Sequence, residues 1–167
     1  NGDQFRLRSD TRFTVTRLAG ALGAEIAGLD LTQPLRSDDI AALRDAWLLH
    51  GVVQLRNQPL TSEQFLAFAQ AIGTPVEYPF VNGITGFPYI IEIKKLEQER
   101  ANFGGIWHSD TTYLERPPMA TLLLAREVPP YGGDTVFANQ YMAYEALSDG
   151  LKATLDGMRV MTMDEAA

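Results

Sequence analysis

The triplet His108-Ser109-Asp110 combines the residue types and spacing in this chain that are best suited to metal chemistry. In an extended strand, residues two apart project from the same face, so the imidazole of His108 and the carboxylate of Asp110 can reach one ion. One histidine and one carboxylate are two of the three ligands in the facial triad that binds non-haem Fe(II) and leaves positions open for reactants. The triplet therefore predicts a metal site, with a third ligand that must come from elsewhere.

The neighbours of the triplet favour this interpretation over a simpler one. A His-x-Asp triplet is also typical of exposed side chains or of a local hydrogen bond. Here Trp107 supplies a large apolar neighbour, and Gly104-Gly105 permits close passage of backbone or ligand. His50, the second histidine of the chain, lies in the last turn of a predicted helix, where the helix dipole favours it. We therefore do not predict His50 to be a ligand.

A second motif, Gly132-Gly133-Asp134-Thr135, follows farther along the chain. Two adjacent glycines predict a hairpin turn in which both residues adopt positive φ. The hydroxyl of Thr135 could donate a hydrogen bond to the carboxylate of a ligand. Threonine is common in strands, so the turn is expected whatever the function of Thr135.

The bulk composition excludes several functional classes. Apolar residues make up 46% of the 167 residues, enough for a packed core, and the net charge is −7, which disfavours a nucleic-acid partner. The absence of cysteine excludes disulfides, thiolate zinc sites and cysteine nucleophiles. We find no membrane-spanning run and no signal sequence, and we expect a cytoplasmic protein that has no membrane partner and whose natural start lies before Asn1.

The first half of the chain predicts a mixed α+β arrangement. Polar and apolar residues alternate over 13–18 and 23–31, and Val52–Leu55 is a short apolar strand. Ser37 is the predicted N-cap of a first helix that ends before Gly51. Thr61 and Gln64 fit a capping box that opens a second helix, which ends at Gly73.

The second half is predicted to be rich in strands with tight turns, after an ordered loop over 75–88. Four strands are predicted. One passes through His108 and Asp110, and the others are Tyr89–Ile93, Met119–Ala125 and Asp134–Ala138. Asn139 is the predicted N-cap of a helix that reaches about Leu147, and Leu151–Met158 is a further candidate helix. This pattern suits a sandwich or a jelly roll.

Taken together, these motifs resemble the taurine dioxygenase family of Fe(II)/α-ketoglutarate-dependent dioxygenases, which includes alkylsulfatase and phenoxyalkanoate members. The resemblance covers roughly residues 13 to 160. The matching segments are Leu22–Leu31, Gly51–Gln58, Trp107–Tyr113, Pro117–Ala120, Gly132–Thr135 and Ala143–Ser148.

The resemblance implies a fold and a domain organisation. The fold is a double-stranded β-helix, the jelly roll of clavaminate synthase-like proteins, with flanking helices. Residues 1–167 would then form one unit, the N-terminal part of a longer dioxygenase domain. The distal histidine ligand and the arginine that binds α-ketoglutarate would lie in a C-terminal part outside this chain.

The resemblance also assigns roles to individual residues. His108 and Asp110 match the proximal, catalytic iron ligands, and Thr135 matches the threonine that binds α-ketoglutarate. Tyr78 stands where taurine-specific members have a substrate-binding histidine, and Gly104 stands near their substrate-contacting asparagine. Tyr113 occupies an aromatic position of the substrate pocket. Because positions 78 and 104 differ from those members, the substrate is not expected to be taurine itself.

The implied activity uses Fe(II), O₂ and α-ketoglutarate to hydroxylate a small organic acid of the sulfonate, alkyl sulfate or aryloxyalkanoate type, with succinate and CO₂ as coproducts. Relatives of this kind are commonly dimers or tetramers, so a homo-oligomer is expected. Two other classes remain open from the residues alone. A non-catalytic β-sandwich module would bind a small molecule without turnover, and a metal-dependent hydrolase would prefer zinc and need no O₂.

Overall fold

The computed structural model describes residues 11–100 and 104–160. The N-terminal residues on which the prediction about a signal sequence rests lie outside this part. The elements in chain order are β1 (Thr14–Arg17), β2 (Ala24–Ala27), α1 (Ser37–His50), β3 (Val53–Leu55), α2 (Ser62–Ile72), α3 (Gln140–Glu145) and α4 (Asp149–Leu155).

The three strands form one mixed sheet in the order β1-β2-β3. β1 and β2 are antiparallel, with Val15 opposite Ile26, and β2 and β3 are parallel, with Ile26 opposite Leu55. A parallel pair needs a long connection, and α1 provides it between β2 and β3. The predicted α+β start of the chain is therefore confirmed.

The core lies between this sheet and one face of α1. Its buried members are Phe13, Ile26, Ala42, Leu43 and Ala46. The three residues from α1 are spaced as one helical face, which explains why the neighbouring positions can stay polar. Two residues of α2, Phe68 and Ile72, pack against this core while remaining partly exposed.

The beginnings of the two long helices depend on different local interactions. The prediction that Ser37 is an N-cap is wrong, because Arg36 holds the cap position and no side chain bonds to the helix start. The Arg36 guanidinium instead donates to the buried carboxylate of Asp39 at 2.9 and 2.8 Å, which lowers the pKa of Asp39. In α2 the predicted capping box of Thr61 and Gln64 is confirmed, with both of its hydrogen bonds formed.

The strands predicted after residue 88 are not formed. Tyr89–Ile93, Met119–Ala125, Asp134–Ala138 and the segment through His108 and Asp110 have no strand assignment. A strand is held by hydrogen bonds to a neighbouring strand, and within residues 11–100 and 104–160 no partner strand reaches these segments. The sequence pattern reports the periodicity of side chains, and it contains no information about where a pairing partner lies.

Two short helices close the described part of the chain. Asn139 is the N-cap of α3, as predicted, and its side-chain oxygen accepts from the backbone of Met142 at 3.1 Å. The same side chain donates to the carbonyl of Ala21 at 2.7 Å, which ties this end of the chain to the turn between β1 and β2. Among the described residues, no helix is long and apolar enough to cross a membrane.

Candidate metal centre

The structure brings His108 and Asp110 together, although not in the way predicted. Nε2 of His108 lies 3.0 Å from Oδ1 of Asp110, and both side chains are about half exposed. The backbone is a turn, since Thr111 has a φ of 51° and its carbonyl accepts from the amide of Leu114 at 3.1 Å. The turn directly after Asp110, rather than the pleat of a strand, therefore orients the two donor atoms.

The imidazole of His108 is oriented by its own backbone. Nδ1 lies 2.7 Å from the carbonyl oxygen of Ile106. A carbonyl can only accept, so Nδ1 carries the hydrogen, and in the neutral ring Nε2 is left with a free lone pair. This lone pair is on the nitrogen nearest Asp110, and a hydrogen bond of this kind is the usual way in which proteins fix a metal-binding histidine.

The distance between the two donor atoms fits a shared ion. A lone pair on nitrogen and an anionic oxygen attract each other only across a proton or a cation. The separation of Nε2 and Oδ1, 3.0 Å, is that of a direct ion pair with a protonated imidazole, and it also equals the separation of two donors that lie about 2.1 Å from one ion at right angles. One imidazole nitrogen with one carboxylate oxygen also suits Fe(II), so the residues present fit the metal.

A complete protein ligand set is not present in the described part of the chain. Among residues 11–100 and 104–160, no group of three or more histidine, cysteine, aspartate or glutamate side chains could hold an ion. His50 lies in the last turn of α1, as the sequence predicts. It was not predicted to be a ligand. Within the described residues, His108 and Asp110 are therefore a pair, which supplies two of the three ligands that the sequence predicts.

Gly104 lies against the imidazole of His108. Its φ is +66°, and a Cβ atom built on it would lie 3.1 Å from Cε1 of His108 and 3.7 Å from Nε2. A side chain at position 104 would therefore require the ring to move by a few tenths of an ångström, and the positive φ also favours glycine. The structure places Gly104 where it affects the position of His108, while its predicted role in contacting substrate stays a prediction.

Thr121 is a member of the site that sequence reasoning missed. Its hydroxyl donates to Oδ2 of Asp110 at 2.8 Å, so the two oxygens of this carboxylate have different partners. The available signal was a single polar residue within the apolar run Met119–Ala125. That signal does not identify Asp110 as the partner, because the contact depends on the turn that follows Asp110.

Three aromatic rings, those of Tyr78, Phe80 and Tyr113, form a row. Phe80 lies 5.7 Å from Tyr78, edge to face, and 5.7 Å from Tyr113 in a tilted arrangement. Tyr78 also lines a cavity with Glu77 and Val81. Two residues that the sequence placed in the substrate pocket, Tyr78 and Tyr113, are thus joined through Phe80. We call these three residues the aromatic row.

Thr135 lies apart from these contacts in the described structure. It follows Gly132 and Gly133, which have the positive φ values expected of the predicted turn, 80° and 73°. Its side chain is exposed in an irregular stretch. The predicted contact of Thr135 with α-ketoglutarate stays a prediction.

One imidazole nitrogen beside one carboxylate oxygen is a donor pair typical of mononuclear metal centres. Comparison with known proteins identifies the family. The chain belongs to the taurine catabolism dioxygenase TauD, TfdA family, whose model matches residues 14–162. The family resemblance predicted from the motifs is confirmed.

Curated relatives and a solved structure agree with this assignment. The chain is 34% identical over 149 residues to the alpha-ketoglutarate-dependent sulfate ester dioxygenase of Pseudomonas putida, covering 89% of this chain and 48% of that protein. It is 36% identical over 137 residues to the alkylsulfatase of Acinetobacter baylyi, covering 81% and 42%. A taurine dioxygenase structure from Burkholderia xenovorans matches with a TM-score of 0.74 and 37% identity, over 87% of this chain and 51% of that one. The chain thus spans about half the length of these proteins.

Proposed function

We propose that the protein is an Fe(II)- and α-ketoglutarate-dependent dioxygenase that hydroxylates a small organic acid. The observation that carries the proposal is the pairing of Nε2 of His108 with Oδ1 of Asp110 at 3.0 Å, with the imidazole oriented by the carbonyl of Ile106. Membership of the TauD, TfdA family supports iron as the metal and α-ketoglutarate as the cosubstrate.

Bound iron would supply the activation of O₂, with α-ketoglutarate oxidised to succinate and CO₂ as a substrate C–H bond becomes C–OH. The protein binds and orients the participants. His108 offers a neutral nitrogen lone pair, and the carboxylate of Asp110 partly neutralises the charge of the ion. Thr135 donates its hydroxyl to the far carboxylate of α-ketoglutarate in this proposal.

We favour sulfate esters within the proposed substrate class, ahead of sulfonates and aryloxyalkanoates. The support is the similarity to two proteins named for sulfate esters and alkyl sulfates. Hydroxylation of the carbon that bears the sulfate gives an unstable product, which collapses to an aldehyde and releases the anion. The aromatic row would contact the apolar part of such a substrate.

We propose that the segments Met119–Ala125 and Asp134–Ala138 are strands of a jelly roll in the whole protein, supported by the likeness to the Burkholderia xenovorans structure. A homo-oligomer, dimer or tetramer, and a location in the cytoplasm remain predictions of the sequence.

The test is an assay of the protein in its longest native form with Fe(II), α-ketoglutarate and O₂. An n-alkyl sulfate, an alkyl sulfonate and an aryloxyacetate are the substrates. We expect one succinate for each aldehyde and sulfate released from the alkyl sulfate, and no release without O₂. Release of sulfate without O₂ or α-ketoglutarate would identify a hydrolase, and binding without turnover would identify a binding module. Either result contradicts the proposal.

Phe80→Ala tests the role of the aromatic row in binding substrate. Removal of the central ring is expected to raise KM for a long-chain alkyl sulfate about 5- to 10-fold with kcat little changed. The reason is that a single aromatic contact changes binding affinity by about a factor of ten at most. Tyr141→Ala is the control, because this tyrosine on α3 is 88% exposed. An unchanged KM for Phe80→Ala would remove the aromatic row from the substrate site.

A further inference from the structure

The carboxylate of Asp110 is held at both of its oxygens. Oδ1 lies 3.0 Å from Nε2 of His108, and Oδ2 accepts the hydroxyl of Thr121 at 2.8 Å. We propose that Thr121 is a positioning residue that fixes this carboxylate so that Oδ1 alone is presented to the metal. This inference rests on the proposed function, because it assumes that Asp110 is a metal ligand.

An aspartate carboxylate that makes no other contact rotates freely about its terminal bond. The terminal torsion of aspartate is broad, so an unrestrained carboxylate can turn and can bind an ion through one oxygen or through both. A hydrogen bond to Oδ2 restrains this rotation and engages a lone pair on the oxygen that would make the second metal contact. Thr121 therefore favours binding through one oxygen, which leaves a further position on the ion open for cosubstrate or O₂.

Thr121 can do this because its segment is anchored on both sides to the first half of the chain. On one side, Sδ of Met119 lies 3.7 Å from Nη1 of Arg44 on α1, and the methyl group of Met119 packs closely over Gly73 at the end of α2. On the other side, the guanidinium of Arg126 donates to the carbonyl of Leu60. Thr121 thus lies between two residues, Met119 and Arg126, that contact the first half of the chain. Asp110 lies in a turn, so Thr121 is the better fixed of the two hydrogen-bonding partners.

The hydroxyl, rather than the volume of the side chain, is the active feature in this proposal. Partners of metal ligands typically change metal affinity by about 10- to 100-fold when they are removed. Because Thr121 is exposed in the described structure, we expect an effect near the lower end of that range. Replacement by a residue of the same shape without the hydroxyl should therefore weaken metal binding, and replacement by serine should retain it.

The experiment compares Thr121→Val, Thr121→Ala and Thr121→Ser with the unmodified protein in its longest native form. Each is titrated with Fe(II) under anaerobic conditions with α-ketoglutarate present, and the visible charge-transfer absorption gives the apparent Kd and the band position. We expect Thr121→Val and Thr121→Ala to raise the Kd about 10-fold and to shift the band, and Thr121→Ser to stay within about 2-fold. Thr154→Val is the matched control, because its hydroxyl donates to Gly150 at 2.9 Å within α4.

The outcomes separate this inference from the proposed function. If the unmodified protein gives no iron-dependent band, the proposed function fails. If it gives a band that Thr121→Val and Thr121→Ala leave unchanged, the positioning role fails while the metal site stands. Equal losses in the valine and serine variants would also overturn the inference, because the hydroxyl would then not be responsible. Melting temperatures of all the variants identify any that fail to fold, and the alanine variant avoids the added methyl group of valine.

Discussion

His108→Ala is expected to abolish Fe(II) binding and to reduce turnover to the level of a protein-free control. The substitution removes the nitrogen donor that lies 3.0 Å from Oδ1 of Asp110, so the carboxylate keeps only its bond from Thr121 and the site loses one of its three predicted ligands. Asp110→Ala should have an equal effect, because it removes the other donor and the charge that partly neutralises the cation. Bound iron after gel filtration and succinate formation are the two measurements.

His50→Ala is the matched control for this prediction. The chain has only two histidines, and His50 lies in the last turn of α1, away from the predicted ligand set. Its loss should lower the stability by no more than a helix-end interaction, about 0.3–1 kcal/mol, and should leave iron content unchanged. Retained iron and retained turnover in His108→Ala would remove this site from consideration, and loss of iron in His50→Ala would make His50 a ligand.

Gly104→Ala is expected to weaken metal binding by about 10- to 100-fold, the range found when the surroundings of a metal ligand are disturbed. The new methyl group would lie 3.1 Å from Cε1 of His108, so the ring must move by a few tenths of an ångström. That movement changes the separation of Nε2 and Oδ1 from its present 3.0 Å. The same residue has a φ of +66°, a conformation that costs an alanine about 1 kcal/mol.

Gly86→Ala is the control that separates the two effects of Gly104→Ala, which are the contact with His108 and the backbone strain at positive φ. Gly86 has a φ of +82°, and an added Cβ atom there would meet no atom within 4 Å. It should therefore reproduce the backbone strain and the loss of stability without moving the imidazole. Iron affinity from the anaerobic titration and the melting temperature are measured for both variants. Equal iron affinity in Gly104→Ala and the unmodified protein would show that contact with His108 is unimportant for binding.

Local signals predicted the elements that depend on neighbours in sequence. The capping box of Thr61 and the cap by Asn139 each involve a side chain and a backbone group three residues away, so the sequence alone specifies them. Ser37 is the first residue inside the helix, because Arg36 with its extended backbone holds the cap position, and the Arg36–Asp39 ion pair spans the same first turn. The general preference for serine at helix starts does not tell which of two adjacent residues, Arg36 or Ser37, holds the cap position.

Features that depend on distant parts of the chain were not predictable in the same way. The apolar run Met119–Ala125 predicts a strand, but a strand also needs a partner, and no partner strand lies in the described residues. Thr121 and Phe80 reach Asp110 and Tyr113 only through the path of the backbone, which residue types do not reveal. The pair His108 and Asp110 was predicted for a pleated strand, yet it meets through a turn at Thr111.

The most direct test of the account is an anaerobic titration of the longest native form with Fe(II) and α-ketoglutarate, followed by visible absorption. We expect a weak charge-transfer band that saturates at one iron per site and is absent in His108→Ala. A folded protein of the length of its relatives that shows no band would contradict it, as would a band that survives in His108→Ala.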